Sequence, residues 1–539
     1  MKLPRIAALL ALPLAAAASA APPKLIVAIS VDQFSGDLFT QYRQYFTGGL
    51  KRLTQGAVFP MGYQSHNATE TCPGHSTILT GDHPARTGII ANNWVDQSVS
   101  RADKSVYCSE DPSVPGSSSS NYTVSTHYLR VPALGDRMKR ADPRSRSVAV
   151  AGKDRAAIMM GGFGPDQRWY WTGKAFDGTG APRPAAVATV NASVAESLAR
   201  PRAAMDLPSV CAPHSRAIAL PGGKSVGTGR FARAAGETGK FRASPDFDAA
   251  ILALAAQVRD EMHLGEGPAT DLLAIGASAT DYVGHTYGTQ GSEMCIQLLA
   301  LDRALGTLFD RLDSSGVDYV VMLTADHGGH DLPERIDQHG LSEAQRIDAA
   351  LAPKAMGAAI AAKLGLKGPV LLGDSGFGDL YLDRSLKGKA RQSALAAAVS
   401  AYRGHPQVAA VFTAAELKAA PRPSGPPDTW SLIDRAKASF DPERSGDFVV
   451  LLKPRVTPIA DASAGYVATH GSPWDYDRRV PILFWRKGMT GFEQSLSVET
   501  VDIMPTLAAL IGLKLAPGEV DGRCLDLDEG EGNTCSPPP

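Results

Sequence analysis

The chain is expected to fold as an α/β protein, with a mostly parallel central sheet flanked by helices on both faces. Continuous apolar runs rich in β-formers recur at KLIVAIS (24–30), SVAVAG (147–152), DLLAIGAS (271–278), DYVVMLTA (318–325), DFVVLLK (447–453) and VPILFW (480–485). Runs of this kind mark strands buried on both faces, as in parallel sheets. Helical periodicity fills stretches between and after them, at 246–262, 293–313 and 501–513. Alternation of strand and helix is the pattern of an α/β sheet.

The N-terminus carries Lys2 and Arg5, then an apolar stretch rich in Leu and Ala, then Ala18-Ser19-Ala20. The apolar run falls short of the ~20 residues a bilayer span needs. Its small-x-small end reads as a cleavage site, so residues 1–20 are expected to be an export signal and the mature chain to start at Ala21, periplasmic or secreted. No later segment is long and apolar enough to cross a membrane, so no membrane span is expected in the mature chain.

Ligands of open α/β sheets bind outside the carboxyl ends of the strands, which makes the polar residues that follow each apolar run informative. Asp32 closes the first run, Lys153 and Arg155 follow the second in GKDR, and Asp281 and His285 follow the third in DYVGH. Asp326 and His327 end the fourth, and His470, in ATHGS, stands ahead of VPILFW. A single strand-end Asp is usually a cap or turn residue. Three aspartates and three histidines at equivalent strand ends make a mixed oxygen and nitrogen ligand set, which suits zinc better than calcium or magnesium and suffices for two ions. These positions run from 32 to 470, so residues 21–539 are expected to form one domain, although length alone would suggest about three. The stretch from about 156 to 245 reads as an insertion, and the Gly/Pro/Ser-rich stretches at 111–120 and 420–428 as surface loops.

TETCPGHSTILTG (69–81) offers a nucleophile. A metal lowers the pKa of bound water from about 15.7 to ~7 in favourable sites and acts on an alcohol in the same sense, so Thr71 can attack without a histidine base. Cys72 competes with it, but no thiol-protease context surrounds it. Pro73-Gly74 fits a strand-to-helix turn whose first amides point at an anion. His75, Thr69 and Glu70 are expected to make local hydrogen bonds, and His330 has no assigned role.

Seven ordered motifs, VDQF (31–34), TCPGHSTILTG (71–81), IIANNW (89–94), GKDR (152–155), DYVGH (281–285), ADHGG (325–329) and THG (469–471), resemble the alkaline phosphatase superfamily, within it the type I phosphodiesterase and nucleotide pyrophosphatase clan. The resemblance spans nearly the whole mature chain and is nearest to the Thr-nucleophile alkaline phosphatases. It implies an alkaline phosphatase-like fold and two zinc ions, one held by Asp281, His285 and His470, the other by Asp32, Thr71, Asp326 and His327. It also implies that Asn92 contacts a phosphoryl oxygen. A formylglycine sulfatase is excluded, because Pro73 directly follows Cys72 and the required Arg is missing. Ser-nucleophile alkaline phosphatases match less well, since no motif supplies their third, magnesium site.

The expected reaction is hydrolysis of small phosphate monoesters through a phospho-threonine. Lys153 and Arg155 are suited to the extra anionic oxygen of a monoester, which a diester replaces with an organic group. A nucleotide phosphodiesterase on the same core is the alternative. A net charge of −1 gives no basic surplus for nucleic acid. Six cysteines in an exported chain imply disulfides, Cys524 with Cys535 being the favoured pair, while the rest of the pairing and the oligomeric state stay open.

Overall fold

In the computed structural model, which describes residues 21–535 except 339, 341, 342 and 531, ten strands build the main sheet. The export-signal reading of residues 1–20 lies outside the described residues. In chain order the strands are β1 (Leu25–Val31), β2 (Ala57–Tyr63), β3 (Ser147–Ala151), β4 (Gln167–Trp171), β5 (Phe176–Gly180), β6 (Asp271–Ala277), β7 (Tyr319–Thr324), β8 (Arg479–Arg486), β9 (Phe492–Glu493) and β10 (Val498–Glu499). They lie in the order β9-β2-β8-β7-β1-β6-β3-β4-β5, and β10 also pairs with β2. From β7 through β4 all neighbours are parallel. The sheet as a whole is mixed, because β8 runs antiparallel between β7 and β2 and β5 runs antiparallel to β4.

Alternation along β1 explains why both faces are covered. Val27 and Ile29 pack on one side with Leu254, Leu301 and Leu305 of helices α3 (Pro245–Glu261) and α5 (Ser292–Ser315). Ile26 and Ala28 pack on the other with Ile78 and Leu79 of α1 (Thr71–Thr80) and Leu507 of α6 (Ile503–Leu510). Two further helices start at strand ends: α2 (Asp154–Gly161) after β3 and α4 (Ala279–Tyr287) after β6. The register aligns Val31 with Ala277 and Ser30 with Thr324, so Asp32, the start of α4 and Asp326 share one edge.

One expectation needs correction. The run 447–453 is not in the main sheet. Phe448–Leu452 lies in a separate antiparallel sheet of four strands, between Gly378–Leu382 and Val408–Thr413. Its alternate residues enter two apolar clusters, Phe448 and Val450 in one, Val449 and Leu451 in the other. Burial on both faces produced the unbroken apolar run, and that signature does not say which sheet a strand joins. The stretch read as an insertion, about 156–245, also supplies core: α2 packs Ala157 and Met160 beneath the sheet, and β4 and β5 extend it.

Candidate active site

Helix α1 begins at Thr71 behind an extended Glu70 (φ −119°, ψ 163°), whose own side chain makes no capping bond. Its first amides are therefore left for other partners. The Cys72 amide donates to Asn92 Oδ1 at 2.8 Å, and the Asn92 amide donates to Glu70 Oε2 at 2.7 Å. Three residues into the helix, a Cβ on Gly74 would stand 1.9 Å from the Asp326 carbonyl oxygen. Glycine is what lets α1 lie against the end of β7, and this answers for part of the TCPGH motif. Cys72 is bonded to Cys108, so its sulfur is no nucleophile here. The other cysteines pair as Cys211–Cys295 and Cys524–Cys535.

Two groups of donor atoms converge beside Thr71, each with its ligand atoms within 4.8 Å of one another: Asp281, His285 and His470 in one, Asp32, His75 and Asp326 in the other. In the first, Asp281 Oδ1 lies 3.2 Å from His285 Nε2 and 3.4 Å from His470 Nε2. His327 joins the second, with Nε2 3.2 Å from Asp326 Oδ2. The imidazoles follow one rule. Nδ1 of His285, His470 and His327 donates to the carbonyl oxygens of Ala468, Thr69 and Gly328 at 2.8, 2.7 and 2.8 Å. A carbonyl only accepts, so Nδ1 carries the proton and Nε2 keeps its lone pair toward the carboxylates, the arrangement of a metal-ligating histidine. Burial, with His327 nearby, pulls the His470 pKa down to about 4, which favours the neutral form a metal needs. Asp32 Oδ1, Asp326 Oδ2 and His327 Nε2 are buried with no well-directed hydrogen bond, only close approaches between these carboxylates and imidazoles. Buried polar atoms are rarely left so, and the donor set fits metal ions.

The cations sit on the same side. Lys153 Nζ lies 2.7 Å from Asp32 Oδ2, 2.6 Å from Asp281 Oδ2 and 3.3 Å from Thr71 Oγ1. Burial opposes its charge, but Asp281 and Asp32 hold its pKa above the usual lysine value. Burial likewise opposes ionisation of Asp281, and His285 and Lys153 keep its carboxyl well below the usual range. Arg155 Nη2 reaches Thr71 Oγ1 at 3.4 Å. Thr71, Asn92, Arg155, Asp281, His285 and His470 line a cavity of about 490 Å³, while Asp32, Lys153, Asp326 and His327 are buried beside these residues. All ten residues singled out in the sequence meet here.

Other residues here were given no part in the site by the sequence. His75, expected to bond locally, does approach the Thr71 carbonyl oxygen with Nδ1 at 2.9 Å, but its Nε2 is also 3.2 Å from Asp32 and its Nδ1 3.1 Å from Asp326. Gln33, in the left-handed region at φ 63°, gives its amide to Asp326 Oδ1 and its Nε2 to Asp281 Oδ1, linking the two groups. Its signal was position alone, directly after Asp32. His330, left without a role, contacts Thr457 Oγ1 at 2.9 Å on the cavity wall.

Comparison with known proteins agrees with this geometry. Residues 26–473 match the family model of type I phosphodiesterase / nucleotide pyrophosphatase. The chain is 58% identical over 525 residues to alkaline phosphatase PhoK of Sphingomonas sp., covering 96% of this chain and 93% of that one. It is 54% identical over 518 residues to alkaline phosphatase PhoD of Zymomonas mobilis, covering 95% and 89%. The crystal structure of alkaline phosphatase PafA superposes with a TM-score of 0.81 at 25% identity, over 94% of this chain and 99% of that one. Likeness over the whole length, together with the strand-end donors, places this chain in the type I phosphodiesterase / nucleotide pyrophosphatase family of the alkaline phosphatase superfamily.

Proposed function

We propose that this chain is an alkaline phosphatase that hydrolyses small phosphate monoesters through a phospho-threonine on Thr71. One observation carries the reading: the Thr71 hydroxyl stands at the mouth of α1, beside both donor groups, with Lys153 and Arg155 at 3.3 and 3.4 Å. The relatives named alkaline phosphatases support it at 58% and 54% identity. The mixed carboxylate and imidazole donors fit two zinc ions, one at Asp281, His285 and His470, the other at Asp32, Thr71, Asp326 and His327. Bound there, zinc supplies positive charge that makes a hydroxyl more acidic and offsets charge at the transition state.

The chain's own groups do the rest. Thr71 Oγ1 attacks phosphorus in line with the leaving alcohol, and the P–O bond to that alcohol breaks. Asn92 Oδ1 is committed to the Cys72 amide, so Nδ2 is left to donate to a phosphoryl oxygen. Lys153 supplies a compact charge and Arg155 a planar fork to the oxygens that a monoester keeps unesterified. Water then displaces Thr71 from phosphorus and restores its hydroxyl. Positioning and charge stabilisation carry most of such a reaction. The N-terminal stretch supports release to the periplasm or beyond.

Two measurements test this. Chelation should abolish turnover of a phosphate monoester and added zinc should restore it; full activity in excess chelator overturns the metal assignment. Thr71→Ala should remove almost all turnover while zinc stays bound, and Thr71→Ser should keep part of it. Phosphate trapped on a residue other than Thr71 would refute the nucleophile.

A further inference from the structure

We infer that Tyr107, Asp154 and Tyr122 form a partly buried brace that aims the Arg155 guanidinium, and that this brace sets the preference for monoesters over diesters. The inference rests on the proposed role of Arg155. It starts from Asp154, a charged residue inside the GKDR motif to which the mechanism gives no part. One carboxylate oxygen of Asp154 accepts the Tyr107 hydroxyl at 2.8 Å, and the other accepts the Tyr122 hydroxyl at 2.9 Å. The two rings pack together with centroids 4.6 Å apart. Asp154 Oδ1 also accepts the Arg155 amide at 2.7 Å, which anchors that residue's backbone.

The direction of these bonds matters. Each phenol gives its proton to Asp154, so the Tyr107 oxygen turns a lone pair outward. Arg155 Nη1 donates to that oxygen at 3.3 Å, while Nη2 points at Thr71. A phenol oxygen polarised by a carboxylate is a strengthened acceptor. A carboxylate placed directly on the guanidinium would orient it equally well but would compete with phosphate for its charge. Routing the contact through a neutral phenol fixes the fork and leaves the charge for substrate. Tyr107 ends the short strand Ser105–Tyr107, whose partner Asn93–Val95 begins directly after Asn92. The next residue, Cys108, is tied to Cys72 beside the nucleophile. The same hairpin therefore holds Asn92 and, through Tyr107, Arg155. These are positioning residues, acting through Arg155 rather than on substrate.

The test compares kcat/KM for a phosphate monoester and a matched methyl diester in the zinc-loaded, full-length enzyme. Tyr107→Phe keeps the ring and deletes the oxygen; it should lower the monoester value about tenfold and leave the diester value within about twofold, as expected for loss of one charge-assisted contact. Tyr122→Phe should act in the same direction, about threefold, one bond further away. In an Arg155→Ala background, adding Tyr107→Phe should change neither substrate by more than about twofold, because coupled residues do not add. Equal losses for both substrates in Tyr107→Phe, or an undiminished loss when Arg155 is already Ala, overturn the brace. If Arg155→Ala alone narrows the preference and the tyrosine variants do not, only the brace fails. If Arg155→Ala lowers both substrates equally, the monoester role of Arg155 fails, and the brace fails with it.

Discussion

At Gly74 an added methyl has nowhere to go, since its near neighbour is the backbone oxygen of Asp326 and not a side chain that can swing aside. Gly74→Ala must push α1 off the end of β7 and carry Thr71 with it. The expected cost is about 1–3 kcal/mol of stability, with a fall in monoester kcat/KM on the order of 10² because reacting groups tolerate little displacement. Thermal unfolding and kinetics on one preparation check both, and a variant with parental values would show that the contact is slack. Replacing Lys153 and Arg155 together by Ala should lower monoester kcat/KM on the order of 10² to 10⁴, from ~1.5 to 3 kcal/mol per charged hydrogen bond, with diester kcat/KM within about tenfold. Parallel losses would favour a diesterase. Asp32, Asp281 and Asp326 were legible because each ends or soon follows an apolar run, where a carboxylate has no packing role. His75 was not. Its place one turn after Thr71 gives no hint that the ring faces Asp32 and Asp326 across the helix interface, since that depends on how closely Gly74 lets α1 approach.

Among elements, α4 delivers two donors at once, Asp281 in its first turn and His285 one turn on. Its start is held by Asp248 of α3, whose buried carboxylate accepts the Ala279 amide at 2.8 Å and Gln297 Nε2 at 2.8 Å. Asp248→Ala leaves the Ala279 amide buried and unpaired, at about 1–3 kcal/mol, and leaves Gln297 Nε2 only its longer bond to Thr280 Oγ1 at 3.3 Å. The variant should unfold at lower temperature and give up zinc to a chelator at lower chelator concentration than the parent; unchanged metal retention would separate α3 from the site. The parallel strands β7, β1, β6 and β3 could be read from sequence, because burial on two faces leaves an unbroken apolar run. β2 could not. AVFPMGY contains Pro60 and Gly62, both poor strand formers, and the chain accommodates them with a register shift opposite Val480 and Ile482. β4 was hidden for a different reason. Its buried residues, Gln167, Trp169 and Trp171, alternate with half-buried ones, so no apolar run marks it inside the stretch read as an insertion.

Across the whole molecule, the C-terminal segment closes over α1. The Gly81 carbonyl oxygen, at the end of α1, accepts the amides of Asp521 and Gly522. His83 stands between Asp521 Oδ2 at 3.1 Å and Glu499 Oε1 at 2.9 Å. Burial opposes the charge on His83, but Asp521 and Glu499 overcome it and raise its pKa from 6.5 to about 10. A raised histidine contributes stability that is fully present below its unfolded value of about 6.5 and is lost as pH climbs through about 10. His83→Gln should therefore cost about 1–3 kcal/mol near neutral pH, with the gap between variant and parent closing above about pH 10. Unfolding curves across pH decide it, and a gap independent of pH would mean that the ring packs without its charge. The bond between Cys72 and Cys108 has a consequence of another kind. It joins the residue after Thr71 to the residue after Tyr107, so an oxidation ties the two sides of the site together. If the chain is exported, as proposed above, that bond forms only once it has left the reducing cytoplasm. On that proposal the completed site would meet phosphate esters outside the cytoplasm and none of those within it.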